Sequence, residues 1–314
     1  MRQNMDKPSD LNDLFVPKTE SSQLELAIER RKEHDRNFHL GGRSFYFFDF
    51  DDNVAFLATP LILFHKDTAQ ELKISSGQFA QEHSRIGMSG IFSDYKIEWD
   101  DVTGTFRNFR DHHNEELERL GLKKQIFVHD VAEALGLPDF HWKGPSWSCF
   151  YHATFNQRPV SVITARGHDP QTLKDGIDLF VAAGHLPSTP NFLSLFPVSH
   201  KPTRAELGDL DLTRSVAELK QAAIRESVER AIERYGYSPH HRFGMSDDDP
   251  KNIQLIAEEM TRLKIKYPEM SFFLIETQRG EFVKNEIGLS GPKAIKATAA
   301  NPVVANGVEQ IKLF

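Results

Sequence analysis

Phe45-Tyr46-Phe47-Phe48-Asp49-Phe50-Asp51-Asp52-Asn53-Val54 is the stretch that decides the fold. Four bulky apolar residues in succession mark a strand buried on both faces of a parallel sheet, which has no solvated side to fill with polar residues. Strands of that kind present their ligand-binding groups at the carboxyl end, so Asp49 and Asp51 belong at a sheet mouth. Because side chains alternate along a strand, the two acids share a side only while the chain stays extended. Either way, two carboxylates lie close together with no basic neighbour in sequence, and that arrangement asks for a cation. A hard divalent metal such as magnesium, which takes oxygen ligands and bridges to substrate phosphates, is the simplest neutraliser.

The segment resembles motif one of the haloacid dehalogenase (HAD) superfamily, an apolar strand followed by Asp-x-Asp-x-x-[Val/Leu], here Asp49 to Val54. The resemblance implies that Asp49 is a nucleophile and Asp51 a general acid. Dehalogenases lack the second Asp, so Asp51 points towards phosphoryl transfer. Asp52 and Asn53 stand where the family commonly has Gly and Thr; both are turn-compatible residues.

Three further pieces follow in the family's order. Pro159-Val-Ser-Val-Ile-Thr164 is a β-branched run ending in a hydroxyl, followed by Ala165-Arg166-Gly167-His168, and it looks like motif two. A hydroxyl there can hydrogen-bond a phosphoryl oxygen without competing as an ion for the metal, and Arg166 is a further candidate substrate contact. Ser215 to Arg234 has apolar residues at helical spacing with Ser215 as N-cap. Lys220 falls in its second turn as the motif-three lysine, with Lys201 its nearest competitor. His241-Arg-Phe-Gly-Met-Ser-Asp247-Asp248-Asp249-Pro250-Lys-Asn252 resembles the acidic motif four, with Ser246 where Gly is usual. Either Asp247 or Asp248 is the metal ligand, and Asn252 is the outer partner. Each piece alone also suits an ordinary strand end, a solvated helix lysine or a capped helix start; the order carries the argument.

Strands at 45–49, 159–164, 241–246 and 271–276 alternate with helical patterns at 170–184, 215–235 and 250–266. Alternation of this kind implies right-handed crossovers and predicts a three-layer α/β, Rossmann-like parallel sheet core. The expected organisation is a polar extension at 1–40, a core at 41–56 and 146–285, an inserted cap at 57–145, and a tail at 286–314. A hairpin is read at 61–74, a helix start at Ser75, and an aromatic cluster at Phe92, Tyr95, Trp99, Phe106 and Phe109 that serves as the cap's own core.

The chain has 314 residues, a net charge of −7 and a pI near 6.1, which argues against duplex nucleic acid as a partner because backbone binding needs clustered Lys and Arg. No apolar run of spanning length or signal-like stretch is present, so no membrane association and a cytoplasmic location are expected. A single cysteine, Cys149, excludes an internal disulfide, and the 14 histidines show no zinc-like spacing.

The function expected from the resemblance is a magnesium-dependent phosphatase passing through an aspartyl-phosphate. Asp49, Asp51, Thr164 and Lys220 are catalytic; Thr164, Arg166 and Lys220 hold the substrate; Asp49, Asp51, Asp247 and Asp248 bind Mg2+. A small phosphate ester or a phosphopeptide is the expected substrate. Transfer to another acceptor and a catalytically silent, protein-binding domain remain open alternatives.

Overall fold

The computed structural model describes residues 31–277 and 283–294. The chain divides into Met1–Glu33, of which residues 31–33 are an exposed coil, and His34–Phe314, which holds all the elements described. Most of the expected N-terminal extension lies outside the described residues.

The fold is mixed α/β, built on a seven-stranded, mostly parallel sheet. β1 (Ser44–Phe48) is the middle one of its five parallel strands, paired with β5 (Pro159–Thr164) on one side and β7 (Arg242–Asp247) on the other. β6 (Asn191–Pro197) extends the sheet beyond β5, and β8 (Ser271–Glu276) extends it beyond β7, both parallel. β9 (Val283–Gly288) and β10 (Gly291–Ala294) then close the β8 edge in antiparallel fashion. The tail expected from residue 286 therefore begins no earlier than 295, because its first residues complete a hairpin on the sheet.

All five residues of β1 are buried, and side-chain alternation divides its aromatics between two cores. Phe45 and Phe47 pack with α8 (Val216–Tyr235) and α9 (Pro250–Lys266). Tyr46 and Phe48 pack on the other face with α3 (Ile126–Leu135), α5 (Trp147–Phe155) and α6 (Pro170–Ala182). Each fully buried aromatic of this kind contributes on the order of 1.5–3 kcal/mol. Helix starts follow local sequence: Ser215 caps α8 through a capping box with Glu218, while Asp169 and Asp249 cap α6 and α9 ahead of a proline.

A separate three-stranded antiparallel sheet is formed by β2 (Leu61–His65), β3 (Glu71–Ile74) and β4 (Tyr95–Lys96), with β2 in the middle. α1 (Ser76–Glu82), capped by Ser75, follows β3. Leu61, Leu63, Ile74 and Phe92 form the core of this layer, with Tyr95, Phe106 and Phe109 packed against it. Trp99 leaves the expected cluster: it is 76% exposed and stacks only on Phe106. α2 (Asn114–Leu120) and α4 (Asp139–Trp142) complete residues 57–145, and α7 (Lys201–Glu206) follows β6. Residues 57–145 are thus divided, since Phe127 and Val131 of α3 and Trp142 of α4 belong to the main core. The boundary at residue 40 shifts as well. Asp35 is buried, accepts from the Ser44 backbone N–H at 2.9 Å and pairs with Arg158 at 2.8 Å.

Candidate active site at the carboxyl ends of the central strands

Parallel pairing on both sides of β1 fixes where its neighbours end. Phe48 lies level with Ser246 on β7 and with Val162 on β5, so Asp49, Asp247 and Thr164 emerge at the same edge of the sheet. Four segments distant in sequence meet there.

Lys220 supplies the first contacts. It projects from the second turn of α8, only 2% exposed, with Nζ 2.7 Å from Asp247 Oδ2 and 3.2 Å from Asp49 Oδ2. Lys201, its competitor, is exposed and pairs with Asp101 instead. Carboxylate oxygens of Asp49, Asp247 and Asp248 lie within 4.8 Å of one another. Asp247 Oδ1 also accepts from the Asp249 backbone N–H at 3.0 Å and from Asn252 Nδ2 at 3.1 Å.

One ammonium cannot neutralise three carboxylates at this distance, and the electrostatics follow from that imbalance. Burial would lower the Lys220 pKa, but Asp247 and Asp49 outweigh it and hold the ammonium charged well above its usual range. Burial pushes the Asp49 carboxyl well up; Lys220 opposes the shift, and Asp247, Asp248 and Asp51 add to it. Asp248 is raised to about 7 by burial, then by Asp247 and Asp52. Excess negative charge on oxygen donors alone is the donor chemistry of a hard divalent cation, and these three carboxylates could hold one.

Asp51 lies outside that trio. Its carboxylate is gripped by Arg166, with Nη2 donating to Oδ1 at 2.6 Å and Nε to Oδ2 at 2.8 Å, while Thr164 Oγ1 donates to Oδ2 at 3.4 Å. Sequence reading placed Asp51 with the metal ligands; in the structure the cation facing its carboxylate is the Arg166 guanidinium. Arg166, expected on a substrate, is fully buried and packs against the rings of Phe109 and Phe127, its guanidinium carbon 4.8 and 4.7 Å from their centroids. Its Nη2 also donates to Thr59 Oγ1 at 2.8 Å, and Thr59 donates in turn to Asp130. Only Nη1 of this guanidinium has no protein acceptor.

Asn53 ties the strand ends together. Its fully buried amide donates to the Asp49 carbonyl and Ser246 Oγ, both at 2.9 Å, and accepts from Ser146 Oγ and Thr277 Oγ1, both at 2.8 Å. Asp52 adopts φ +57°, a left-handed conformation that Asp tolerates better than most residues.

Residues of the layer around the second sheet reach two of the segments that follow the central strands. The Gly167 N–H after β5 donates to the Phe109 carbonyl at 2.7 Å, and His83 Nε2 lies 2.7 Å from Lys251 Nζ in the first turn of α9. Sequence reading missed Asn53 as a hub, missed Thr59, Asp130 and Phe127 altogether, and placed Phe109 only in the cap's aromatic cluster. Nothing in the sequence signals that these four residues surround Arg166. His129, Asp130 and Glu133 on α3 form a second group with mutually close ligand atoms, but Asp130 is already engaged by Thr59.

No helix among the described residues is long and apolar enough to cross a membrane. Comparison of the chain with known protein families, with curated proteins and with solved structures finds no match.

Proposed function

We propose that this protein is a magnesium-dependent phosphomonoester hydrolase of the HAD type, with a three-layer Rossmann-like core and a cap formed by the antiparallel layer at residues 61–109. The observation that carries the reading is the meeting of Asp49, Lys220, Asp247 and Asp248 at one sheet edge beside the Asp51–Arg166 pair. Such a cluster combines a carboxylate nucleophile, fixed positive charge and a second, separately held carboxyl group.

In this mechanism a phosphomonoester binds with its oxygens facing Lys220 and Thr164. Asp49 attacks phosphorus as the bond to the leaving oxygen breaks, and Asp51 gives that oxygen its proton. Water then attacks the aspartyl-phosphate and passes a proton to Asp51. The bond to Asp49 breaks, releasing phosphate and restoring both carboxyl groups. Magnesium held by Asp49, Asp247 and Asp248 supplies positive charge beside the phosphoryl oxygens when bound. Contacts from His83 to Lys251 and from Phe109 to Gly167 support the role of the antiparallel layer as a cover that limits water and selects the ester, a small phosphate ester or a phosphopeptide.

The test is hydrolysis of 4-nitrophenyl phosphate with magnesium and with chelator. Turnover is expected only with the metal, and Asp49→Asn is expected to abolish it while leaving the fold intact. Full turnover by Asp49→Asn, or turnover indifferent to chelation, refutes the proposal.

A further inference from the structure

A general acid has to be aimed as well as protonated. Asp51 follows β1 in a loop and is not held by its own strand; what fixes its side chain is Arg166, through two parallel charge-assisted hydrogen bonds at 2.6 and 2.8 Å. A free arginine side chain has many rotamers, so this grip orients Asp51 only if Arg166 is itself immobile. Three contacts immobilise it. Phe109 and Phe127 both pack their rings against the guanidinium, and Thr59 accepts from Nη2 at 2.8 Å. Thr59 has one hydroxyl proton, which it gives to Asp130, leaving its lone pairs turned to Arg166. Asp130 is buried on α3 and thereby sets the direction of the hydroxyl.

We infer that Thr59 and Asp130 are positioning residues for Asp51, acting through Arg166 in a buried chain Asp130–Thr59–Arg166–Asp51. The inference rests on the reading of Asp51 as the general acid. Two of the four members, Asp130 and Thr59, and both rings packed on Arg166, Phe109 and Phe127, come from residues 57–145, so the segment inserted after β1 orients the acid at the end of β1. In the protonated form one Asp51 oxygen keeps a hydrogen bond from Arg166 while the other presents its proton to the leaving oxygen.

Two measurements test this. The first uses substituted phenyl phosphates of graded leaving-group acidity with wild type, Thr59→Val, Asp130→Asn and Thr59→Ser. Proton donation matters most for poor leaving groups, and kcat/KM reports the step in which the leaving group departs, so Thr59→Val and Asp130→Asn are expected to lower kcat/KM on phenyl phosphate by about 10- to 100-fold and on 2,4-dinitrophenyl phosphate by less than about 3-fold. Thr59→Ser, which keeps the hydroxyl, is expected to restore the rate. Equal losses across the series, or none, overturn the positioning role. The second measurement is hydrogen exchange of the Arg166 Nε–H by NMR, which requires no turnover. Slow exchange in wild type and at least about 10-fold faster exchange in Thr59→Val is expected from loss of a buried restraint; unchanged exchange overturns the chain. If wild type hydrolyses no ester, the hydrolase reading fails and the exchange data alone decide whether Thr59 holds Arg166.

Discussion

Replacing Asn53 by alanine removes a side chain that is fully buried and links the ends of β1, β7 and β8 to the start of α5. The cost follows from which partners are left unpaired. Thr277 Oγ1 keeps the Asp247 carbonyl at 3.2 Å, and the Ser246 carbonyl keeps the Asp49 N–H at 3.0 Å. Ser146 Oγ, Ser246 Oγ and the Asp49 carbonyl each lose the Asn53 amide. At about 1–3 kcal/mol for a buried polar group left unsatisfied, three such groups predict a loss of about 3–9 kcal/mol. With a urea dependence of about 3 kcal/mol per molar, the unfolding midpoint is expected to drop by about 1–3 M. Asn53→Asp places an oxygen where the amide donor was, facing the Asp49 carbonyl, and is expected to be at least as destabilising at neutral pH. A cycle of Asn53→Ala with Ser246→Ala is expected to return a coupling of about 1 kcal/mol, because the pair shares one hydrogen bond. A midpoint for Asn53→Ala within about 0.3 M of wild type would falsify the claim that this amide holds the strand ends together.

Two further outcomes are expected. Gly176 lies inside α6, where alanine ordinarily stabilises by about 1 kcal/mol; here a β-carbon would meet Phe127 Cε1 at 2.3 Å, so Gly176→Ala is expected to lower the thermal midpoint, and an increase refutes the packing argument. The raised Asp248 pKa, about 7, gives metal-free stability a definite sign with pH: a carboxyl whose folded pKa is raised favours the folded state below its unfolded value near 4 and loses that contribution as pH rises through 7. Differential scanning calorimetry of chelated protein is expected to show Tm falling between pH 5 and 8, with magnesium restoring more at pH 8 than at pH 5. Asp248→Asn is expected to flatten both trends, and a chelated protein that gains stability over this range contradicts the reading.

The departures from the HAD wording turn out to be related in space. Asn53 and Ser246, each in place of a residue more usual in that pattern, hydrogen-bond each other at 2.9 Å, and Asp52, in place of a common Gly, takes the left-handed φ that Gly would take. Read singly along the chain they look like three weakenings of a motif. Folded, two of them are one buried pair, and the third is a turn residue suited to its conformation. Lys220 illustrates the opposite case. Its helix and cap were readable from spacing and from Ser215, yet its burial between Asp49 and Asp247 depends on α8 crossing behind the sheet, which no local pattern encodes. The missed strand β6 and the hairpin β9–β10 have a plain cause too: they lie towards and at the sheet edges, where burial is partial and the apolar run that marks a central strand is absent.

The sequence by itself determined the central strand, the order of alternating elements, the cap of α8 and the acidic start of α9, because apolar runs, periodicity and capping are local properties written in neighbouring side chains. Only the tertiary structure decided how the charges pair. Asp49 and Asp51, two residues apart, face different cations brought from 171 and 115 positions away, Lys220 and Arg166. A buried charge is stabilised by whatever opposite charge lies within a few ångströms of it, and that distance is set by the pairing of β1 with β5 and β7 and not by separation along the chain.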